Sequence, residues 1–136
     1  MISLLKNLGK IYEGVTGNGQ TLLALDFDGT LAEIVPDPKD AALPRSRLRL
    51  LEALSNQPRF AVAVISGRSL EDLKKRVNLP EITYAGDHGL EISGPGFHHI
   101  PPQAEQSRIT VAEIGGILES ALIGTPGIVF EHKGLS

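Results

Sequence analysis

The chain contains no cysteine, which excludes disulfides and thiolate metal sites. Aromatic residues make up only 4%, so any core must be built from Leu, Ile, Val and Ala. There is no basic block and the formal net charge is -3, a poor match to nucleic acid as a partner. The apolar runs, such as residues 61 to 65, are far too short to span a bilayer. The N-terminal residues 1 to 6 lack the long apolar stretch of a secretory signal, so a cytoplasmic protein without membrane association is the default expectation. What is present is ordinary for a globular protein: 136 residues, 41% hydrophobic and 21% charged. That length fits one domain, or one domain and a piece of another.

Leu4, Leu5, Leu8 and Ile11 or Tyr12 recur at helical spacing and predict a short first helix, ended by Gly14, Gly17 and Gly19. Residues 21 to 27 are an apolar run too short for a globular helix, and read as a buried strand. Prolines make residues 35 to 44 an irregular loop. Leu48, Leu51 and Leu54 mark a helix from about 45 to 56, and residues 60 to 65 a second buried strand. Ser69 is a plausible N-cap for a helix through Val77. Residues 82 to 85, closed by Gly86, form a third predicted strand, and 90 to 92 a short fourth. This alternation predicts an α/β chain with a parallel sheet and covering helices. After Ser93 the texture changes: Gly94-Pro-Gly and Pro101-Pro102 bracket a short segment, a helix is predicted from 105 to 122, and a strand from 127 to 131. Residues 1–92 are therefore read as one unit and 93–136 as the beginning of a second.

In such sheets chemistry collects beyond the carboxyl ends of the strands. Asp26 and Asp28, Ser66, and Asp87 with His88 each follow a predicted strand, so three polar clusters converge on one rim. Asp26-Phe27-Asp28-Gly29-Thr30 is the most informative stretch. Residues two apart at a strand end can point to the same side. Two carboxylates about 5 Å apart at an effective dielectric near 20 repel by roughly 3 kcal/mol. A proton on one, or a hard cation such as magnesium between them, would offset that. Gly29 lets the backbone leave the strand sharply. Thr30 offers a hydroxyl and an N–H, and together these residues can form an anion-binding concavity. An in-line carboxylate can attack phosphorus, and a neighbouring carboxyl can protonate the leaving oxygen and then deprotonate water. The alternative is an Asx-turn in which Asp-Gly is only turn chemistry.

Asp26-Phe-Asp-Gly-Thr-Leu resembles the first motif of the haloacid dehalogenase-like superfamily. That resemblance implies a Rossmann-like core with a mobile α+β cap, Asp26 as nucleophile and Asp28 as general acid/base. It also implies magnesium held by the Asp26 side chain and the Asp28 backbone carbonyl. Ser66 matches the superfamily's second motif, a hydroxyl donating to the phosphoryl group; read alone, Ser66-Gly67-Arg68 is a turn before a helix. Arg68 either clamps an anion or pairs with Glu71 or Asp72.

Gly86-Asp87-His88-Gly-Leu-Glu resembles a segment of trehalose-6-phosphate phosphatases in which Asn is commoner than Asp at position 87. His88 is either a substrate contact or a hydrogen-bonded structural histidine. Glu131-His-Lys133 resembles that family's cap segment, whose Glu and Lys reach sugar hydroxyls and phosphate; its plain reading is a solvated charge cluster. The family resemblance runs from about Leu22 to Ser136. It implies hydrolysis of trehalose 6-phosphate through an aspartyl-phosphate, with a trehalose-phosphate synthase as a partner. The alternatives are another sugar phosphate, such as sucrose phosphate or mannosylphosphoglycerate, or a non-catalytic regulatory domain. The superfamily also uses a later Lys and a later acidic cluster. No Asp follows Asp87, and Lys133, the one later Lys, belongs to the cap segment. The expectation is a chain that is feeble or inactive alone, part of a protein roughly twice as long.

Overall fold

The computed structural model describes residues 9, 13, 14 and 17 and residues 19 to 136. The apolar residues that predict the first helix, Leu4, Leu5, Leu8, Ile11 and Tyr12, lie outside the described residues. The order is β1 (Thr21–Asp26), α1 (Arg45–Ser55), β2 (Phe60–Ile65), α2 (Leu70–Val77), β3 (Thr83–Gly86), β4 (Glu91–Gly94), β5 (Phe97–His99) and α3 (Pro102–Leu122). The sheet has five strands in the order β1-β2-β3-β4-β5. β1, β2 and β3 are parallel, as the alternation with helices predicts. β4 and β5 are antiparallel additions, so the sheet is mixed and continues across residue 93 as a hairpin.

One sheet face is closed by α1 and α2. Leu51 of α1 and Leu70, Leu73 and Val77 of α2 pack with Val62, Val64, Ile82 and Tyr84 in a cluster centred on Phe27, which is fully buried. Leu73 and Val77 lie four apart, on the stripe that a helix turns toward a core. Ser69 caps α2: its Oγ accepts from the Asp72 N–H, satisfying one orphan donor of the first turn. The helix ends at Asn78 in the left-handed region, φ 51°, a C-terminal stop that Asn tolerates.

The loop from β1 to α1 is held by three arginines. Arg47 donates to Leu31 O at 2.9 Å, Arg68 to Pro38 O at 2.7 Å, and Arg76 to the carbonyls of Lys39 and Ala41. Prolines remove this segment from regular pairing, and charged donors satisfy its carbonyls instead.

Two expectations change. α3 begins at Pro102 rather than near residue 105; a proline at the first helical position loses no hydrogen bond and supplies a helical φ. Residues 127 to 131 form no strand. A strand exists through its ladder, and no described strand runs alongside; Val129 is 88% exposed. α3 buries no residue, and Ile109, Ile114, Ile117 and Leu118 are exposed.

Candidate active site

Strand register assembles the site. Asp26 pairs with Ile65, and Ile65 with Ala85, so the three parallel strands end level. The polar residues that follow each strand therefore meet at one rim. Two backbone bonds fasten the turns after β2 and β3 together: Asp87 N–H donates to Arg68 O at 2.7 Å, and His88 N–H to Ser66 O at 3.1 Å.

Past β1 the chain turns back on itself. Leu31 N–H donates to Phe27 O at 3.0 Å and Gly29 N–H to Ala32 O at 2.9 Å. Gly29 has φ +84°, a conformation that favours glycine. Phe27 is buried in the core while Asp26 and Asp28 on either side of it are exposed. This is the alternation that puts two carboxylates on one side.

The charge on Asp28 is met by a residue forty positions away. Arg68 Nε donates to Asp28 Oδ2 at 2.8 Å and Arg68 Nη2 to Asp28 Oδ1 at 2.7 Å. Nη2 also donates to Pro38 O and Nη1 to Asp72 Oδ2 at 3.0 Å. Four of the five guanidinium donors thus have partners. The guanidinium carbon stands 5.5 Å from the Phe27 ring centroid, within cation–π range. Arg68 is 7% exposed. The bonds to Asp28 hold its pKa above the ordinary value despite burial. Asp72 is also bound by Arg76 Nε at 2.7 Å. Burial would raise Asp72, but the bonds from Arg76 and Arg68 outweigh it and hold its carboxyl below the usual range. The result is a continuous chain, Asp28–Arg68–Asp72–Arg76.

Ser66 is buried, and its Oγ accepts from the Arg68 N–H at 3.1 Å. An accepting hydroxyl keeps its own proton for donation. Thr30 is exposed on the loop. Asp87 is buried with φ 49°. Its Oδ1 accepts from the Ser136 hydroxyl at 3.2 Å, and its Oδ2 is buried without a partner. Burial pushes its carboxyl up, reinforced by Glu91 and opposed by Ser136, Lys133 and His88. His88 is exposed, also left-handed at φ 57°.

The C-terminal segment returns to this rim. Leu135 is buried and Ser136 holds Asp87. Asp28, Gly67, Arg68, Glu131 and Lys133 consequently line one cavity of about 310 Å³, with Ile34, Val35 and Pro38 as its apolar wall. Lys133 Nζ lies 3.5 Å from Glu131 Oε2. Asp26, Thr30, Ser66, Asp87 and His88 are not among its lining residues.

Magnesium was the implied cofactor. Among the described residues no group of three or more His, Cys, Asp and Glu side chains is placed to hold a metal ion. Asp26 is exposed at the strand end, whereas the Asp28 carboxylate is held by Arg68. One carboxylate and one backbone carbonyl form an all-oxygen set, and this fits an ion that retains waters and is completed by a substrate phosphate.

The sequence offers an anion, Glu71 or Asp72 as partners for Arg68; Asp72 is one, Glu71 pairs with Lys75 instead, and Asp28 is missed. A signal was available: residues just past adjacent parallel strands are neighbours, and Asp28 and Arg68 stand two and three residues past Asp26 and Ile65.

The fold and the strand-end carboxylates define a class, a Rossmann-like α/β chain. A solved haloacid dehalogenase-like hydrolase from B. subtilis shares the fold, with TM-score 0.50 and 21% identity over 74% of this chain and 33% of that one. The C. albicans trehalose-6-phosphate phosphatase C-terminal domain superposes at TM-score 0.73 with 25% identity, covering 93% of this chain and 44% of that chain. The trehalose-phosphatase family model matches residues 24–136. A trehalose-phosphate phosphatase of Mycobacterium avium is 43% identical over 126 residues, 89% of this chain and 30% of that relative. The chain belongs to the trehalose-phosphatase family. It spans about a third of the length of the curated relatives it matches.

Proposed function

We propose that the protein containing this chain is a phosphatase that hydrolyses trehalose 6-phosphate to trehalose and inorganic phosphate. The observation that carries this reading is one cavity in which Asp28 and Arg68 of the core face Glu131 and Lys133 of the C-terminal segment. Carboxylates accept sugar hydroxyl protons and Lys offers a compact charge to phosphate. Two of the named relatives are trehalose phosphatases.

In this reading an Asp26 carboxylate oxygen attacks phosphorus and the bond to the sugar oxygen breaks. Asp28 gives that oxygen its proton. Water then attacks the phosphorus of the acyl phosphate, Asp28 takes the water's proton, and Asp26 is freed. Ser66 and Thr30 donate hydrogen bonds to the phosphoryl oxygens. Gly67 makes room for the His88 ring, whose Cε1 would lie 2.5 Å from a Cβ there, and His88 reaches the substrate from the turn after β3, where Asp87 anchors the segment bearing Glu131 and Lys133. Magnesium, held by the Asp26 side chain and the Asp28 carbonyl, would neutralise phosphoryl charge. The boundary read at residue 93 falls inside β4, which with β5 belongs to the core sheet, so in this proposal the cap starts after His99; the protein is cytoplasmic, and a trehalose-phosphate synthase is its natural associate. No described helix is long and apolar enough to cross a membrane.

The test is phosphate release by the full-length protein. Trehalose 6-phosphate is expected to be preferred over sucrose phosphate and mannosylphosphoglycerate, and Asp26→Asn to lower kcat by about a thousandfold or more. Unchanged activity in that variant would remove Asp26 as nucleophile. The 136-residue chain alone is expected to show turnover at least about a hundredfold lower, since a single missing electrostatic stabiliser costs that much.

A further inference from the structure

We infer that Arg68 is a positioning residue for Asp28 rather than a substrate ligand, an assignment that rests on the proposed acid/base role of Asp28. The geometry is a two-bond fork, 2.7 and 2.8 Å, one bond to each carboxylate oxygen. A fork of this kind fixes both the position and the plane of a carboxylate, which a single bond or a point charge does not. It leaves lone pairs on each oxygen outside the fork.

The guanidinium is itself immobilised. Asp72 holds Nη1, Pro38 O accepts from Nη2, the Phe27 ring lies beneath, and the Arg68 backbone N–H is tied to Ser66 Oγ. Asp72 is fixed in turn by Arg76, whose side chain reaches Lys39 O and Ala41 O. The orientation of Asp28 is therefore inherited from α2 and from the loop after β1, not from the substrate. A side chain with four donors occupied and 7% exposure has little left with which to grip an incoming phosphate. Lys133, lining the same cavity with its contact to Glu131 long at 3.5 Å, is the better-placed cation for that.

Proton delivery matters most when the leaving oxygen is a poor leaving group. A sugar alcohol must be protonated as it departs, whereas 4-nitrophenolate leaves unassisted. The experiment compares kcat/KM of the full-length wild type, Arg68→Ala, Arg68→Lys and Asp72→Asn on the phosphosugar the wild type turns over best and on 4-nitrophenyl phosphate. Thermal melting reports folding of each variant. With Arg68→Ala the sugar phosphate is expected to fall about a hundredfold, the lower range for a positioned acid. The aryl phosphate is expected to fall only a few fold. Arg68→Lys restores charge without the fork and is expected to recover about a tenth of the loss. Asp72→Asn, which loosens the brace and leaves the fork, gives a smaller selective loss and serves if Arg68→Ala fails to fold. Equal losses on both substrates, or a rise confined to KM on both, overturn the assignment. A wild type that hydrolyses neither substrate, or an Asp26→Asn variant with full activity, would instead defeat the phosphatase reading and is recognised before any Arg68 variant is compared.

Discussion

Asp87 stands where the sequence resemblance implies Asn, and its surroundings explain how a carboxyl is accepted. With Oδ2 buried and unpartnered, the ionised form is disfavoured, and burial pushes the pKa above its ordinary 3.8. A protonated carboxyl sets a donor group beside an acceptor, as a side-chain amide does. The groups around it are Glu91, His88, Lys133, Arg108 and the Ser136 hydroxyl. Because the folded-state pKa is raised, the native state binds the proton more tightly than the unfolded chain. The contribution of Asp87 to stability is then fullest below pH 3.8 and declines as pH rises through its folded pKa. Asp87→Asn is expected to stabilise the full-length protein by about 1 kcal/mol at pH 7, the scale of one unsatisfied buried group. The gain should vanish near pH 4. Urea unfolding at the two pH values measures it, and a gain independent of pH would contradict the assignment. None of this was legible in the sequence, because burial and the approach of Ser136, forty-nine residues along, are tertiary facts.

At the scale of elements, β3 and α2 meet through a glycine. A Cβ on Gly86 would sit 2.4 Å from the Leu70 N and 2.7 Å from its Cα. Both are backbone atoms at the first turn of a helix whose cap, Ser69, is already fixed. Gly86→Ala should therefore destabilise by about 1–3 kcal/mol as an overpacked contact, read as a lowered melting temperature. It should also disturb the turn carrying Asp87 and His88. The elements themselves were largely readable. β2 and the start of α2 fall where the apolar run and the Ser69 cap place them, because short buried runs and capping chemistry are local signals. The residues from 127 to 131 carry the same local signal and form no strand, since pairing depends on a neighbour that local sequence does not reveal. The Arg68–Asp28 fork was hidden for a related reason: its two ends meet only after β1 and β2 have paired in register.

For the molecule as a whole, β1 is the end strand of the described sheet, and Leu22 on it is 67% exposed. Parallel strands are ordinarily covered on both faces and flanked on both sides. The strand that bears the proposed nucleophile thus has one side without a described strand. Such an end is a template: it offers a row of N–H and C=O groups to any extended segment that arrives. Prepared alone, the 136 residues should self-associate in a concentration-dependent way by light scattering, and Leu22→Lys should suppress this. A monomer at all concentrations would argue that the strand is shielded. The same property couples the sheet to the site. Asp26 sits at the end of that strand, so a segment pairing along β1 would extend the sheet and wall in the proposed nucleophile in the same step.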